Sequence, residues 1–347
     1  MDDYIPFQFE WQTLEHLSEP SSQVSELLRE VDIDYDASLD FLLTVYSGNK
    51  LVSCAGLAGS TIRCVAVSPQ WQGENLAVRV LNEVEYFAHE QGRSHLFLYT
   101  KPENRDIFGQ CGFYPLVEAP NQALFMENTP VGIQRYCQKL ESSRHESGEQ
   151  GAIVMNANPF TLGHRYLVEQ ALDRCDWLHV FVVSEDVSTF PYRQRLAMVQ
   201  EGVADLPRVS VHVGGEYLIS RATFPSYFIK ESQQVEHAYA AIDLLLFRCF
   251  IGPALGITRR FVGTEPYCPV TAAYNAQMYY WLANSAVTSS PVIDVVEIPR
   301  VCSSKGKPIS ASAVRQLLRQ QNYQQVYCLV PKTTLSVIQH HVEPISV

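Results

Sequence analysis

The strongest constraint on the fold lies between Gly151 and Cys175. Gly151-Ala-Ile-Val-Met155 is a short apolar run, the pattern of a strand buried in a parallel sheet. It passes directly into Asn156-Ala-Asn-Pro-Phe-Thr-Leu-Gly-His164. From there Tyr166, Leu167, Val168, Ala171, Leu172 and Cys175 trace one face of a helix. A turn between the carboxyl end of a strand and the start of a helix is where open α/β sheets place ligands. The free N–H groups of that helix end favour anions. The spacing predicts an α/β protein in which residues 151–347 form a parallel, Rossmann-like sheet. Its core helices are expected at 163–175, 193–204, 234–251 and 270–284.

Charge divides the rest of the chain. Residues 1–150 carry 22 acidic and 10 basic side chains, whereas residues 151–347 carry 15 and 16. The change falls at Glu141-Ser-Ser-Arg-His-Glu-Ser-Gly-Glu-Gln150, which has no apolar residue and reads as a linker between domains at 1–140 and 151–347. The total of −11 argues against sequence-independent binding to nucleic acid, which needs a basic footprint. The apolar stretch from Tyr239 to Ile257 contains Asp243, Arg248 and Pro253, so it reads as a buried helix and not a membrane span. Nine scattered cysteines with no Cys-x-x-Cys pair point to reduced thiols of structural use in a cytoplasm. Met1-Asp2-Asp3 is acidic where a signal peptide would be basic.

In the first half, the start reads as irregular and acidic. Leu51–Gly56 and Thr61–Val67 read as neighbouring strands joined by a Gly59-Ser60 turn. A turn through Gln72, Gly73, Asn75 and Ala77 leads into a helix with apolar residues at Leu76, Val80, Leu81, Val84, Phe87 and Ala88. His95–Tyr99 is a further strand, and Phe108–Phe113 a short helix with a glycine turn. This series resembles the GNAT acetyltransferase fold, a mixed, largely antiparallel sheet. In that family the turn reads Gln/Arg-x-x-Gly-x-Gly/Ala and holds the pyrophosphate and pantetheine of coenzyme A. The resemblance maps onto Gln72, Asn75 and Ala77, with Asn75 where the family has glycine, and onto Phe108 with Gly112-Phe113.

The turn after Met155 contains Thr161-Leu-Gly-His164, which resembles the Thr/His-x-Gly-His signature of the nucleotidyltransferase superfamily. Adenylyl transfer is an in-line displacement at an α-phosphate, catalysed by positioning and charge neutralisation. His164 and Thr161 can each donate to phosphate oxygens, and Gly163 permits close backbone approach. Ile309-Ser-Ala-Ser-Ala-Val-Arg315 resembles the superfamily's closing motif. Ser310 and Ser312 suit a helix cap whose amides bind β- and γ-phosphates, and Arg315 can clamp pyrophosphate. Arg260–Glu265 is expected as a strand whose end, Gly263-Thr-Glu265, faces the nucleotide. Arg193 and Arg221 are candidates for a carboxylate or phosphate, and Arg195 is a second candidate in the same run as Arg193. Arg259, Arg260, Arg300, Lys305, Lys307, Arg315 and Arg319 are candidates for a basic rim.

The order of these elements, with Phe-Pro-Tyr192, Ile-Ser-Arg-Ala-Thr-Phe-Pro225 and Phe-Val-Gly-Thr-Glu-Pro266, resembles the [citrate (pro-3S)-lyase] ligase family over the whole chain. The resemblance implies that ATP, with Mg²⁺, and acetate are used to acetylate a thiol, releasing AMP and pyrophosphate. That thiol belongs to the dephospho-coenzyme A-derived prosthetic group on the acyl carrier subunit of citrate lyase. It implies ATP contacts at Asn156, Asn158, Phe160, Gly163, Gly263, Glu265, Ser310 and Ser312, and catalytic roles for Thr161, His164 and Arg315. The motifs alone also fit an adenylyltransferase acting on a phosphorylated small molecule such as a phosphopantetheine. They fit, too, an acetyl-CoA-dependent acetyltransferase with a regulatory nucleotide domain, and a non-enzymatic ATP-binding scaffold.

Overall fold

The computed structural model describes residues 7–14, 19–73, 75–184, 188–221, 223–266, 268–303 and 306–342. The chain divides into two compact units, Met1–Gly132 with Phe224–Ile242, and Ile133–Thr223 with Asp243–Val347. The polar stretch 141–150 falls within the second unit, where His145 stacks on Trp177 with ring centroids 3.6 Å apart.

The first unit is built on a seven-stranded sheet of order β1-β2-β3-β4-β5-β7-β6. Its strands are β1 (Phe7–Thr13), β2 (Phe41–Ser47), β3 (Lys50–Ala58), β4 (Thr61–Val67), β5 (Phe97–Thr100), β6 (Tyr114–Ala119) and β7 (Ala123–Glu127). Every neighbouring pair is antiparallel except β4 and β5. The helix Leu76–Glu90 buries Leu76, Val80, Leu81, Val84 and Ala88, one face at helical spacing. Among the described residues, the start is not irregular from Phe7 to Thr13. β1 alternates half-buried Phe7, Phe9 and Trp11 with exposed polar residues, and Trp11 stacks on Phe87 at 3.9 Å. Ser21 then caps the helix Ser22–Glu30 by accepting from the Val24 amide.

The second unit holds a five-stranded, all-parallel sheet of order β10-β9-β8-β11-β12. These strands are β8 (Gln150–Met155), β9 (Trp177–Val182), β10 (Val209–Val213), β11 (Ile257–Gly263) and β12 (Asp294–Ile298). The chain winds outward from β8 to β10, then restarts beside β8 with β11. The order therefore reverses between β8 and β11, and loops leaving their carboxyl ends turn away from each other.

The expected helices form at Leu162–Leu172, Tyr192–Gly202, Ser232–Leu246 and Pro269–Met278. The last two continue as π-helical turns, Phe247–Ile251 and Tyr279–Ala283. Buried Arg248 explains the pairing of those turns. It donates to the carbonyls of Trp281, Asn284, Ser290 and Pro291 at 2.7–3.1 Å. The helical run Ser232–Leu255 is long and apolar enough to cross a membrane by composition, but 78% of its most apolar window is buried inside the fold. All nine cysteines are unpaired, and Cys268, Cys302 and Cys328 are exposed, so a packing role does not extend to these three.

Candidate active site

In the second unit the two candidate motifs meet at the switch point. β8 ends at Met155, and the loop Asn156–Phe160 carries the chain to the helix Leu162–Leu172. Ala157 in this loop is buried at φ 50°, a backbone region that residues with a side chain rarely adopt. The loop is held from two sides. Arg195 donates to the Asn156 carbonyl at 2.9 Å, to Asn156 Oδ1 at 2.7 Å, to the Val183 carbonyl at 2.9 Å and to the Phe190 carbonyl at 3.1 Å. Arg315 donates to the Asn158 carbonyl at 2.6 Å. Asn158 Oδ1 accepts from the Phe190 amide at 3.1 Å.

Thr161 caps the following helix and is 1% exposed. Its hydroxyl accepts from the His164 amide at 3.3 Å, and its own amide donates to His164 Nδ1 at 3.0 Å. This reciprocal cap fixes the imidazole. An amide can only donate, so Nδ1 is the acceptor and the proton of the neutral ring sits on Nε2. Burial lowers the His164 pKa to about 4, with the charge of Arg300 adding to the fall. The ring stacks on fully buried Phe160 at 5.7 Å. At neutral pH the group presents a neutral N–H donor.

Gly163 has a reason that the sequence did not disclose. A β-carbon there would lie 2.7 Å from the carbonyl oxygen of Ile309. The first helical turn thus packs directly against the first residue of the second motif. Ser310 caps the helix Ala311–Arg319 by accepting from the Ala313 amide at 3.2 Å, and the Ser312 hydroxyl lies 3.1 Å from that of Ser310. Arg315, one turn along, is half-buried, and burial followed by the nearby charge of Arg319 lowers its pKa.

β11 ends at Gly263. Glu265 does not present an open carboxylate: it pairs with Arg300 and accepts from the Cys268 amide at 3.1 Å. Arg300 also donates to the Thr264 carbonyl at 2.7 Å. Gly263 is backed by buried Asn275, which donates to its carbonyl at 3.1 Å.

The expected basic rim does not assemble. Arg259 pairs with Glu149 at 2.7 Å near the opposite end of β11, Arg260 is buried with its guanidinium 4.3 Å from the Phe247 ring centroid, and Lys305 lies outside the described residues. Arg193 and Arg221 are exposed. Arg195 and Arg300 are the residues whose tasks the sequence did not show. Both looked like surface cations, and burial beside distant carbonyls is not written in local periodicity. Among the described residues, no three His, Cys, Asp or Glu side chains converge as a metal site.

The first unit carries its own candidate site. A cavity of about 520 Å³ is lined by Trp71, Gln72, Gly73, Asn75 and Ala77 at one end. Gly73 and Asn75 both take left-handed conformations, φ 90° and 57°, so Asn75 supplies the backbone geometry expected of glycine. Gln72 donates to the Val67 carbonyl at 3.2 Å. Among the described residues, no side chain caps the helix Leu76–Glu90 at Asn75, as suits first amides that meet a ligand.

Residues 150–338 match the family described as citrate lyase ligase C-terminal domain. The chain is 48% identical over 322 residues to the [Citrate [pro-3S]-lyase] ligase of Escherichia coli (strain K12), covering 93% of this chain and 91% of that protein. It is 46% identical to the [Citrate [pro-3S]-lyase] ligase of Klebsiella pneumoniae, covering 91% of each. A shorter stretch of 67 residues is 37% identical to the phosphopantetheine adenylyltransferase of Staphylococcus carnosus (strain TM300), covering 18% of this chain and 42% of that protein. Among solved structures, an acyl-CoA N-acyltransferase from Pseudomonas aeruginosa matches 36% of this chain and all of its own at 14% identity, with a TM-score of 0.30.

Proposed function

The chain belongs to the citrate lyase ligase family and is a ligase that activates citrate lyase by acetylation, and we propose that it does so with ATP and acetate through an acetyl-adenylate. The acceptor in this reading is the thiol of the prosthetic group on the lyase's acyl carrier subunit. A carboxylate oxygen of acetate attacks the α-phosphorus, and the bond to the β-phosphate bridging oxygen breaks to release pyrophosphate. The thiol then attacks the acetyl carbonyl, loses its proton to solvent, and displaces AMP.

The chain's residues divide this work. The Nε2–H of His164 donates to the α-phosphate oxygen that gains charge, held in place by Thr161. Arg315, with donors beyond the one given to Asn158, neutralises the leaving pyrophosphate. The cap region at Ser310 and Ser312 receives the outer phosphates. Asn156, Asn158, Phe160, Gly163 and Gly263 shape the nucleotide cleft, and Arg300 with Glu265 forms its wall. Arg193 and Arg221 remain candidates for the acetate. With no acidic cluster among the described residues, Mg²⁺ fits as an ion carried on triphosphate oxygens, where it would offset their charge. The cavity of the first unit, with Gln72, Gly73, Asn75 and Ala77, is read as a holder of the pantetheine arm. Nine unpaired cysteines and ATP dependence suit a cytoplasmic enzyme.

One observation supports the reading: the two motifs, far apart in sequence, meet where Gly163 abuts Ile309 and Arg315 bonds to Asn158. The test is acetate-dependent ATP–pyrophosphate exchange. Loss of the His164 donor in His164→Ala lowers the exchange rate by about 10²–10³-fold. Unchanged exchange would refute the first step. Exchange that needs no acetate would instead favour an adenylyltransferase, the alternative raised by the phosphopantetheine adenylyltransferase match.

A further inference from the structure

A segment from late in the sequence helps to line the first unit's cavity. β4 and β5 pair only at Thr61–Phe97 and Ile62–Leu98, although β4 runs on to Val67 and β5 to Thr100. The cause is local. The β3–β4 register shifts where Cys64 takes φ 52°, and such a bulge bends its strand away from the ladder. Tyr227 sits where the strands part. Its hydroxyl lies 3.5 Å from the Tyr99 carbonyl of β5, and its phenol is buried beside the Cys64 backbone of β4.

This residue is held from several directions. The Asp34 amide donates to the Tyr227 carbonyl at 2.7 Å. Phe224 packs edge-on against Tyr99 with centroids 5.3 Å apart. Lys230 pairs with Asp34 at 3.0 Å and Asp32 at 3.5 Å. Tyr227 and Phe228 line the same cavity as Gly73 and Asn75.

We propose that Tyr227 is a specificity-determining stop that fits this cavity to an arm ending in a free thiol and excludes the same arm once it is acetylated. The inference rests on the reading of the cavity as a pantetheine holder. An acetyl group adds three heavy atoms beyond the sulfur. A buried ring held by its neighbours gives way to them only through overpacking. The unit then retains the substrate arm and lets the product arm go. It works as a holder of the unacylated thiol.

Calorimetric titration of the full chain with dephospho-coenzyme A and with its acetyl thioester tests this. The wild-type protein binds the thiol form about tenfold more tightly, the lower range of an overpacking penalty. Tyr227→Ala binds the two forms within about twofold, and Tyr227→Phe, which keeps the ring, retains the preference. Tyr227→Leu serves if thermal melting shows the alanine variant to be unfolded. Equal binding of both forms by the wild type, or a preference that survives truncation, overturns the stop. Binding of neither form overturns the arm-holding reading itself, and the stop falls with it.

Discussion

Gly163→Ala tests the junction on which the active site depends. The added methyl would sit 2.7 Å from the Ile309 carbonyl oxygen, inside the roughly 3.4 Å of an ordinary contact, so one side must move by about 0.7 Å. The obstacle is backbone. The Ile309 amide donates to the Val301 carbonyl at 3.0 Å, and Ser310 follows as a helix cap, so Ile309 cannot yield without moving the second motif. Overpacking of this kind costs about 1–3 kcal/mol. Alanine recovers about 0.5–1 kcal/mol of helix propensity at the same position. The net loss of about 0–2.5 kcal/mol lowers Tm by up to roughly 10 °C for a unit of this size. Activity suffers more, because a displacement approaching 1 Å in a positioning site costs about 10²-fold in rate. Differential scanning fluorimetry and acetate-dependent pyrophosphate exchange read the two effects on one sample. A variant that melts and exchanges like the wild type would show that the two motifs do not touch.

Arg195→Met removes a buried guanidinium and strands the acceptors of Asn156, Val183 and Phe190, so the urea midpoint should fall by on the order of 3 kcal/mol of stability. Arg195→Lys should not restore it, because one ammonium cannot reproduce the planar fork, and full rescue by lysine would contradict the assignment. A second prediction concerns acid. His179 and His212 share a hydrogen bond of 2.9 Å, and burial lowers their pKa values to about 3 and about 4. Gln150 faces His179 at 3.3 Å, and His145 adds a like charge when protonated. The unfolded chain takes up protons below pH 6.5 that the folded pair refuses, so stability falls as the pH drops from about 6.5 toward 4. His212→Gln should flatten the dependence of the urea midpoint between pH 7.5 and 5. An equally steep loss in the variant would place the acid sensitivity elsewhere.

The parallel sheet was legible where apolar runs are continuous. β8 and β9 lie within a residue of the expected 151–155 and 177–183 because strands buried on both faces carry little else than apolar residues. β1 and β12 were harder. Phe7-Gln-Phe-Glu-Trp11 and Asp294-Val-Val-Glu-Ile298 place charges among apolar residues, since each belongs to an edge strand with an exposed side. The two site motifs were visible because apolar periodicity yields abruptly to small and polar residues on either side of Leu162 and Ile309. Their meeting was not. It depends on the reversal of strand order between β8 and β11, a property of the whole sheet.

The cations of the second unit make a sharper case. Seen in sequence, Arg195 and Arg300 are interchangeable with exposed arginines, and each could serve an anionic substrate. In the fold, Arg195 and Arg248 are fully buried and given over to backbone carbonyls, while Arg300 is paired with Glu265. A guanidinium suits this use because its fixed fork satisfies several carbonyls at once, where an unfilled loop would leave them without partners. The consequence for chemistry is that the charge facing a triphosphate is narrower than the cation count implies. In the proposed reading it includes Arg315 and the helix-end amides, with a neutral His164 beside them. A neutral donor whose partner Nδ1 is locked by the Thr161 amide needs no reorganisation as charge develops on phosphate. In the proposed reading catalysis comes from placement, and for that reason the contact at Gly163 matters more than any added positive charge.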